Sequence, residues 1–251
     1  MSTKKVKSVV MNAKNAKGNG TSIVSHSGRP GAKPKRRTLY VFILVDNSLS
    51  MAGEKMQVSN VTLQCESEVW VDVAKDNGCD IKVQVIRFGE GAEPMFEEPI
   101  NVEDLELQDL VADGGSTDNG MAFKVLSGQL NNVISHRMLP PLIVELSDGE
   151  PTDDYKAALA KLQENPLFQK SVKLAVAIGP QAHKSKCLLE FVGGNPELVW
   201  KADDKNPGDI SKAIKWATTS SIVRQSQGPS DDDMHTSDFN KVGTPDSQVT
   251  W

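Results

Sequence analysis

Apolar and polar positions along this chain fall into blocks whose period switches between strand-like and helix-like. Residues 38–45 form an almost unbroken apolar run, rich in β-branched side chains, within Tyr40-Val-Phe-Ile-Leu-Val-Asp46-Asn-Ser48-Leu-Ser50. Such a run reads as a strand buried on both faces. From 54 to 75, Val58, Val61, Cys65, Val69 and Val73 recur at steps of three and four, the spacing of one helix face. Gly78 is placed to end that helix. Ile81, Val83, Val85 and Phe88 predict a second strand. Residues 94–100 predict a short edge strand with Pro94 and Pro99 near its ends, where a missing backbone donor is tolerated. The acidic loop 101–115 carries Leu105, Leu107, Leu110 and Val111, so part of it should pack on the body. Residues 118–136 predict a helix with Met121, Val125, Leu126, Leu130, Val133 and Ile134 inward, broken by Pro140-Pro141. Apolar strands are expected at 142–147 and 172–178, and a short one at 197–200. Between them, Thr152 is expected to cap a helix containing Ala157, Leu159, Ala160 and Leu162. Further helices are expected at 185–192 and 210–222, the last with Ile210, Ala213, Ile214, Ala217 and Ile222 near one face. Strands alternating with helices predict an α/β fold. Its sheet is doubly wound and mainly parallel, with helices on both faces and one short antiparallel edge strand.

Charge divides the chain into three. Residues 1–37 hold ten Lys and Arg and no Asp or Glu, leaving 18 basic against 33 acidic residues in the remainder. The net charge of −5 hides this split. Lacking aromatic residues, 1–37 predicts a disordered basic arm. Residues 38–224 are expected to form the folded domain, and 225–251 a disordered acidic tail. The run Lys33-Pro-Lys35-Arg36-Arg37 allows nonspecific, salt-sensitive nucleic-acid binding, or a solubilising role against the acidic body. Three scattered cysteines argue against a disulfide framework, and none forms a zinc-type pair. With no long apolar span and no secretory h-region, the expected location is the cytoplasm, away from membranes.

Chemistry concentrates where apolar runs stop. Asp46, Ser48 and Ser50 follow the first strand, and Asp148-Gly149-Glu150 follows the run 142–147. Between them lies Gly114-Gly115-Ser116-Thr117-Asp118-Asn119-Gly120. Carboxyl ends of parallel strands are where open α/β sheets bind ligands. An oxygen-only set suits a hard cation such as Mg²⁺. The competing reading makes these residues turn formers and helix caps. An enzymatic alternative takes Asp46 as a phosphoryl-accepting nucleophile, with Asp148 helping to hold Mg²⁺. Haloacid-dehalogenase phosphatases place a second carboxylate where this chain has Ser48, and His136 and His183 lie away from the three loops. No enzyme is therefore expected. Gly114-Gly115 lacks the Lys of a phosphate-binding loop.

These three segments resemble the metal-ion-dependent adhesion site (MIDAS) of von Willebrand factor A domains. Asp46-Asn-Ser48-Leu-Ser50 matches its D-x-S-x-S element, Thr117 its Gly-rich-loop threonine, and Asp148-Gly149 its third element. Leu49 departs from the pattern, since relatives often carry Gly there. The resemblance implies that Ser48, Ser50 and Thr117 bind Mg²⁺ (or Mn²⁺ or Ca²⁺) through hydroxyls. It implies that Asp46 and Asp148 act through coordinated waters, and that a partner protein's Asp or Glu completes the shell. Glu54, Asp118, Glu150, Asp153 and Asp154 form an acidic rim for a basic partner, or else simply favourable charges at helix N-termini. The run Leu146-Ser-Asp148-Gly149-Glu150-Pro151-Thr152-Asp153-Asp154 is similar to the bacterial TerY-type branch associated with tellurite resistance. That likeness implies an adaptor in a stress-response or defence system, with a protein kinase and a metal-dependent phosphatase as partners. It also marks Ser230, Thr236, Ser237, Thr244 and Ser247 as candidate phosphorylation positions.

Overall fold

A computed structural model describes residues 36–133 and 137–223. Nearly all of the basic arm, the acidic tail with Ser230, Thr236, Ser237, Thr244 and Ser247, and both Ile134 and His136 lie outside the described residues. The strands are β1 (Arg37–Asp46), β2 (Cys79–Gly89), β3 (Gly91–Pro94), β4 (Ile100–Asn101), β5 (Leu142–Ser147), β6 (Val172–Ile178) and β7 (Val199–Ala202). The helices are α1 (Glu54–Asp76), α2 (Asn119–Asn132), α3 (Tyr155–Gln163), α4 (Pro166–Lys170), α5 (Lys186–Phe191) and α6 (Pro207–Val223).

The sheet runs in the order β3-β2-β1-β5-β6-β7, with β4 also paired to β2. β1 is parallel to β2 and β5, and β6 is parallel to β5 and β7, while β3 and β4 run antiparallel to β2. The expected α/β sheet with an antiparallel edge is therefore present. All of β5, and β1 from Leu39 onward, are buried, so both faces of the sheet are covered. Helices α1 and α6 pack together on the sheet, and α2 and α3 form a second packed pair. Phe123 of α2 stacks on Phe191 of α5 at 5.7 Å between ring centroids, and Phe168 of α4 meets the same ring at 5.9 Å. From β1 the chain steps out to β2, then returns to the other side of β1 as β5. This reversal opens a crevice between the carboxyl ends of β1 and β5, the ligand position in open α/β sheets.

Several local expectations shift. The buried residues of α1 are Met56, Val58, Ser59, Thr62, Leu63, Glu66, Trp70 and Ala74; of the expected inward set Val58 is buried and Val73 packs against the core, while Val61 and Cys65 are exposed. The face runs aside from Val61 and Cys65 because it also buries Ser59, Thr62 and Glu66, whose side chains bond within the fold. Trp70 Nε1 donates to Thr218 Oγ1 at 3.1 Å, and Ser211 Oγ donates to Glu66 Oε1. Burial raises the Glu66 pKa, opposed by the Ser211 bond and the Lys215 charge. The edge strand β3 ends at Pro94 rather than beginning there. Val111 and Met121 are exposed rather than packed. Asp154, not Thr152, occupies the N-cap position of α3, and helix α4 follows its own cap, Asn165. Asn77 and Gly78 end α1 as expected, with Gly78 at φ +57°.

Candidate metal centre

β1 delivers Asp46 to the crevice with its carboxylate fully buried. Both oxygens are engaged. The Ser48 backbone N–H donates to Oδ1 at 2.9 Å, and Ser147 Oγ donates to Oδ2 at 2.6 Å. Burial pushes the Asp46 carboxyl up, these bonds oppose that push, and nearby Asp148 adds to it. Beyond Ser48 the chain turns through a short 3₁₀ segment (Leu49–Met51) into α1. The turn brings Ser48 Oγ within 3.0 Å of Ser50 Oγ. Ser50 Oγ donates in turn to Asp148 Oδ1 at 2.8 Å. Asp148 Oδ2 accepts from the Lys55 ammonium, which also donates to the Ser50 carbonyl at 3.1 Å.

The Gly-rich loop joins the first loop through backbone. Gly114 N–H donates to the Asn47 carbonyl at 3.0 Å, and Leu49 N–H donates to the Gly114 carbonyl at 2.9 Å. Asn47 Nδ2 adds a bond to Asp113 Oδ1 at 2.8 Å. Glycine is required here by close approach, since a Cβ on Gly114 would lie 2.8 Å from Gly89 Cα. Ser116 Oγ donates to the Gly89 carbonyl at 3.1 Å. That bond ties the Ser116 hydroxyl to β2, while the neighbouring Thr117 is buried beside the third loop. Thr117 N–H donates to Thr152 Oγ1, and Thr152 N–H donates to the Thr117 carbonyl, both at 2.9 Å. The three loops therefore form a closed ring. The first meets the second at Asn47 and Gly114, the second meets the third at Thr117 and Thr152, and the third meets the first at Asp148 and Ser50.

Below this ring, Glu145 of β5 is fully buried and accepts a bond from Asn119 Nδ2. Burial raises its pKa to about 8, the Asn119 bond opposes the rise and the Asp46 charge contributes to it. Among the described residues, Glu145 Oε2 and Asn119 Oδ1 are buried without a hydrogen-bond partner.

The other acidic residues around the site have tasks within the fold. Asp118 accepts from Gly91 N–H at 2.9 Å, and Asp153 accepts from Gly120 and Met121 N–H at the start of α2. Glu150 accepts from Lys186 N–H at the start of α5, and Glu54 pairs with Lys205. Asp154 is exposed. For Asp153 and Glu150 this is the helix-terminus role.

Sequence reasoning assigned no role to Asn47, Lys55 or Ser147, and assigned Thr152 only that of a helix cap. Ser147 could have been found, because it directly precedes Asp148 at the end of a buried strand. Lys55 carries no such signal, being one exposed-looking lysine in the first turn of an amphipathic helix.

The donor set fits a hard cation. Ser50 Oγ already touches both Ser48 Oγ and Asp148 Oδ1, and hydroxyl, carboxylate and water oxygens are what Mg²⁺ accepts. Among the described residues no group of three or more His, Cys, Asp or Glu could hold a metal. No described helix is long and apolar enough to cross a membrane.

No protein-family model and no curated protein matches the chain. Solved structures do. A von Willebrand factor type A protein from Catenulispora acidiphila aligns over 74% of this chain and 43% of its own, with TM-score 0.50 and 19% identity. Proximal thread matrix protein 1 from the mussel byssus, with zinc-occupied MIDAS motif, aligns over 72% of this chain and 47% of its own, at TM-score 0.53 and 15% identity. The pilus adhesin SpaC from Lactobacillus rhamnosus GG aligns over 76% and 31%, at TM-score 0.56 and 10% identity. The chain spans less than half the length of each of these structures. At such identities the likeness speaks for architecture alone, and the fold of this chain is von Willebrand factor A-like.

Proposed function

We propose that the domain is a metal-ion-dependent protein-recognition module. Ser48, Ser50 and Thr117 supply hydroxyl oxygens to Mg²⁺, and Asp46 and Asp148 balance its charge. The observation that carries this reading is the ring of three loops, which turns the Ser48 and Ser50 hydroxyls and the Asp148 carboxylate toward one another at a sheet crevice. Neutral hydroxyls leave a bound divalent ion electrophilic, so it attracts an Asp or Glu from a partner. Asp46 orients the first loop by holding the Ser48 N–H, and Ser147 locks its other oxygen. Buried and doubly bonded, Asp46 is poorly placed to attack a phosphoryl group, which weighs against the phosphotransferase alternative. One structural neighbour is a pilus adhesin and another is described with a zinc-occupied MIDAS motif; both agree with a binding role. The TerY-type likeness of 146–154 supports, more specifically, a cytoplasmic adaptor in a stress-response or defence system, with kinase and phosphatase partners.

The test is capture of a carboxylate-presenting partner by the full chain in Mg²⁺, in chelator, and with Asp46→Ala. Capture should require Mg²⁺ and disappear in the variant, while its circular dichroism stays that of the parent. Capture indifferent to both chelator and substitution would refute the reading.

A further inference from the structure

The Asp148 carboxylate is 3% exposed, and its two oxygens are divided between two donors of the chain itself. Ser50 Oγ holds Oδ1 at 2.8 Å, and the Lys55 ammonium holds Oδ2. Lys55 is also tied to the Ser50 carbonyl at 3.1 Å, so one cation bridges the first and third loops. Its side chain is only 26% exposed. Gly179, just past β6 at φ +95°, lies beside the lysine stem, where even a Cβ would make only ordinary van der Waals contact with Lys55 Cε, at 3.6 Å. Lys55 therefore does at Asp148 what a divalent ion does at such a site. It neutralises the carboxylate and draws two loops together.

We propose that Lys55 is a tethered counter-ion that competes with the divalent cation for Asp148 and sets the metal affinity of the site. This inference rests on the metal-dependent reading above. With Asp148 neutralised from within, an incoming ion meets one effective carboxylate charge fewer and a positive charge nearby. The loops can stay closed on lysine alone, so the site keeps its shape at low metal concentration. Binding then involves swinging the ammonium off Asp148 Oδ2 into solvent, a motion that its partial exposure permits.

The experiment uses the full chain and Mn²⁺ as probe, read by electron paramagnetic resonance and by titration calorimetry. Lys55→Met removes the charge and keeps most of the stem. Lys55→Arg keeps the charge. The Met variant should bind Mn²⁺ roughly tenfold or more tightly than the parent, the scale of one unit charge at close range near a protein surface. The Arg variant should stay near the parent. In chelator, the Met variant should melt below the parent and recover on adding Mn²⁺. Lys55→Gln takes its place should the Met variant fail to fold. Equal affinity in parent and neutral variant, or weaker binding in the variant, overturns the role of Lys55 and leaves the metal reading standing. Absence of Mn²⁺ binding in parent and variants alike overturns both.

Discussion

Glu145→Gln should stabilise the protein at neutral and alkaline pH by an amount that follows from where Glu145 sits. The side chain is fully buried on β5, opposite Leu44 of β1. Its pKa rises from 4.5 to about 8, chiefly through burial. The unfolded chain releases this proton near the ordinary value, whereas the folded chain retains it. Folding therefore takes up a proton in the window between those two values, and stability declines as pH rises through it. Each pH unit costs about 1.4 kcal/mol, so the loss is about 3 kcal/mol at pH 7 and levels off near 5 kcal/mol above the folded pKa. Below the unfolded value the contribution vanishes, because both states are protonated. Glutamine does not titrate. It keeps an acceptor for the Asn119 amide and offers an N–H₂ group where Glu145 Oε2 and Asn119 Oδ1 otherwise lack partners among the described residues. The assay is urea unfolding of parent and variant in chelator at pH 5, 7 and 9. The gap between them should be small at pH 5 and widen toward pH 9. Parallel stability profiles, or a gap widest at pH 5, would refute the assignment of a neutral acid beneath the site.

Three further outcomes follow from packing and chemistry described above. Gly114→Ala forces a Cβ to 2.8 Å from Gly89 Cα and should cost about 1–3 kcal/mol in urea unfolding, with weakened Mn²⁺ binding; Gly115→Ala meets only Glu90 Oε2 at 3.5 Å and should leave both unchanged. Trp70→Phe removes the bond to Thr218 Oγ1 and part of a buried ring, and should lower stability by about 1–3 kcal/mol without altering metal affinity. A maleimide should label Cys65, which is exposed, far faster than buried Cys79 and Cys187 in the native protein. Burial pushes both buried thiols up, with Glu145 and other carboxylates adding to the rise at Cys187; mass spectrometry after brief labelling reads the difference.

Where one physical requirement dominated, the sequence was a sufficient guide. Strands buried on both faces are nearly continuous apolar runs, interrupted here only by Glu145 in β5 and Lys173 in β6, so β5 and β6 were legible to the residue and β1 nearly so. Their ends located the three loops, because polar oxygens cannot sit inside such runs without a purpose or a partner. The helix faces were harder. A face that buries Ser59, Thr62 and Glu66 does not look apolar, and exposed Val61 and Cys65 drew attention away from it. Thr152 suited a helix cap by residue type, yet its hydroxyl serves Thr117 across the crevice. The partners of Asp148 depend on side chains meeting across long sequence separations, and no local pattern announces Lys55. Asp118, Glu150 and Asp153 read in sequence either as a rim or as charges at helix N-termini; that their oxygens accept from the backbone amides of Gly91, Lys186 and Gly120 no local pattern announces.

The Gly89 corner carries one more consequence. Its carbonyl receives both the Asp118 N–H and the Ser116 hydroxyl, Phe88 beside it receives the Asn47 N–H, and Gly91 donates back to Asp118. The hairpin at the sheet margin and the threonine loop are thus tied together by three hydrogen bonds. Whatever seizes or releases Thr117 tugs on β3, some residues away from any ligand. Fraying of that hairpin and loss of ion affinity should accordingly occur as a single event on heating.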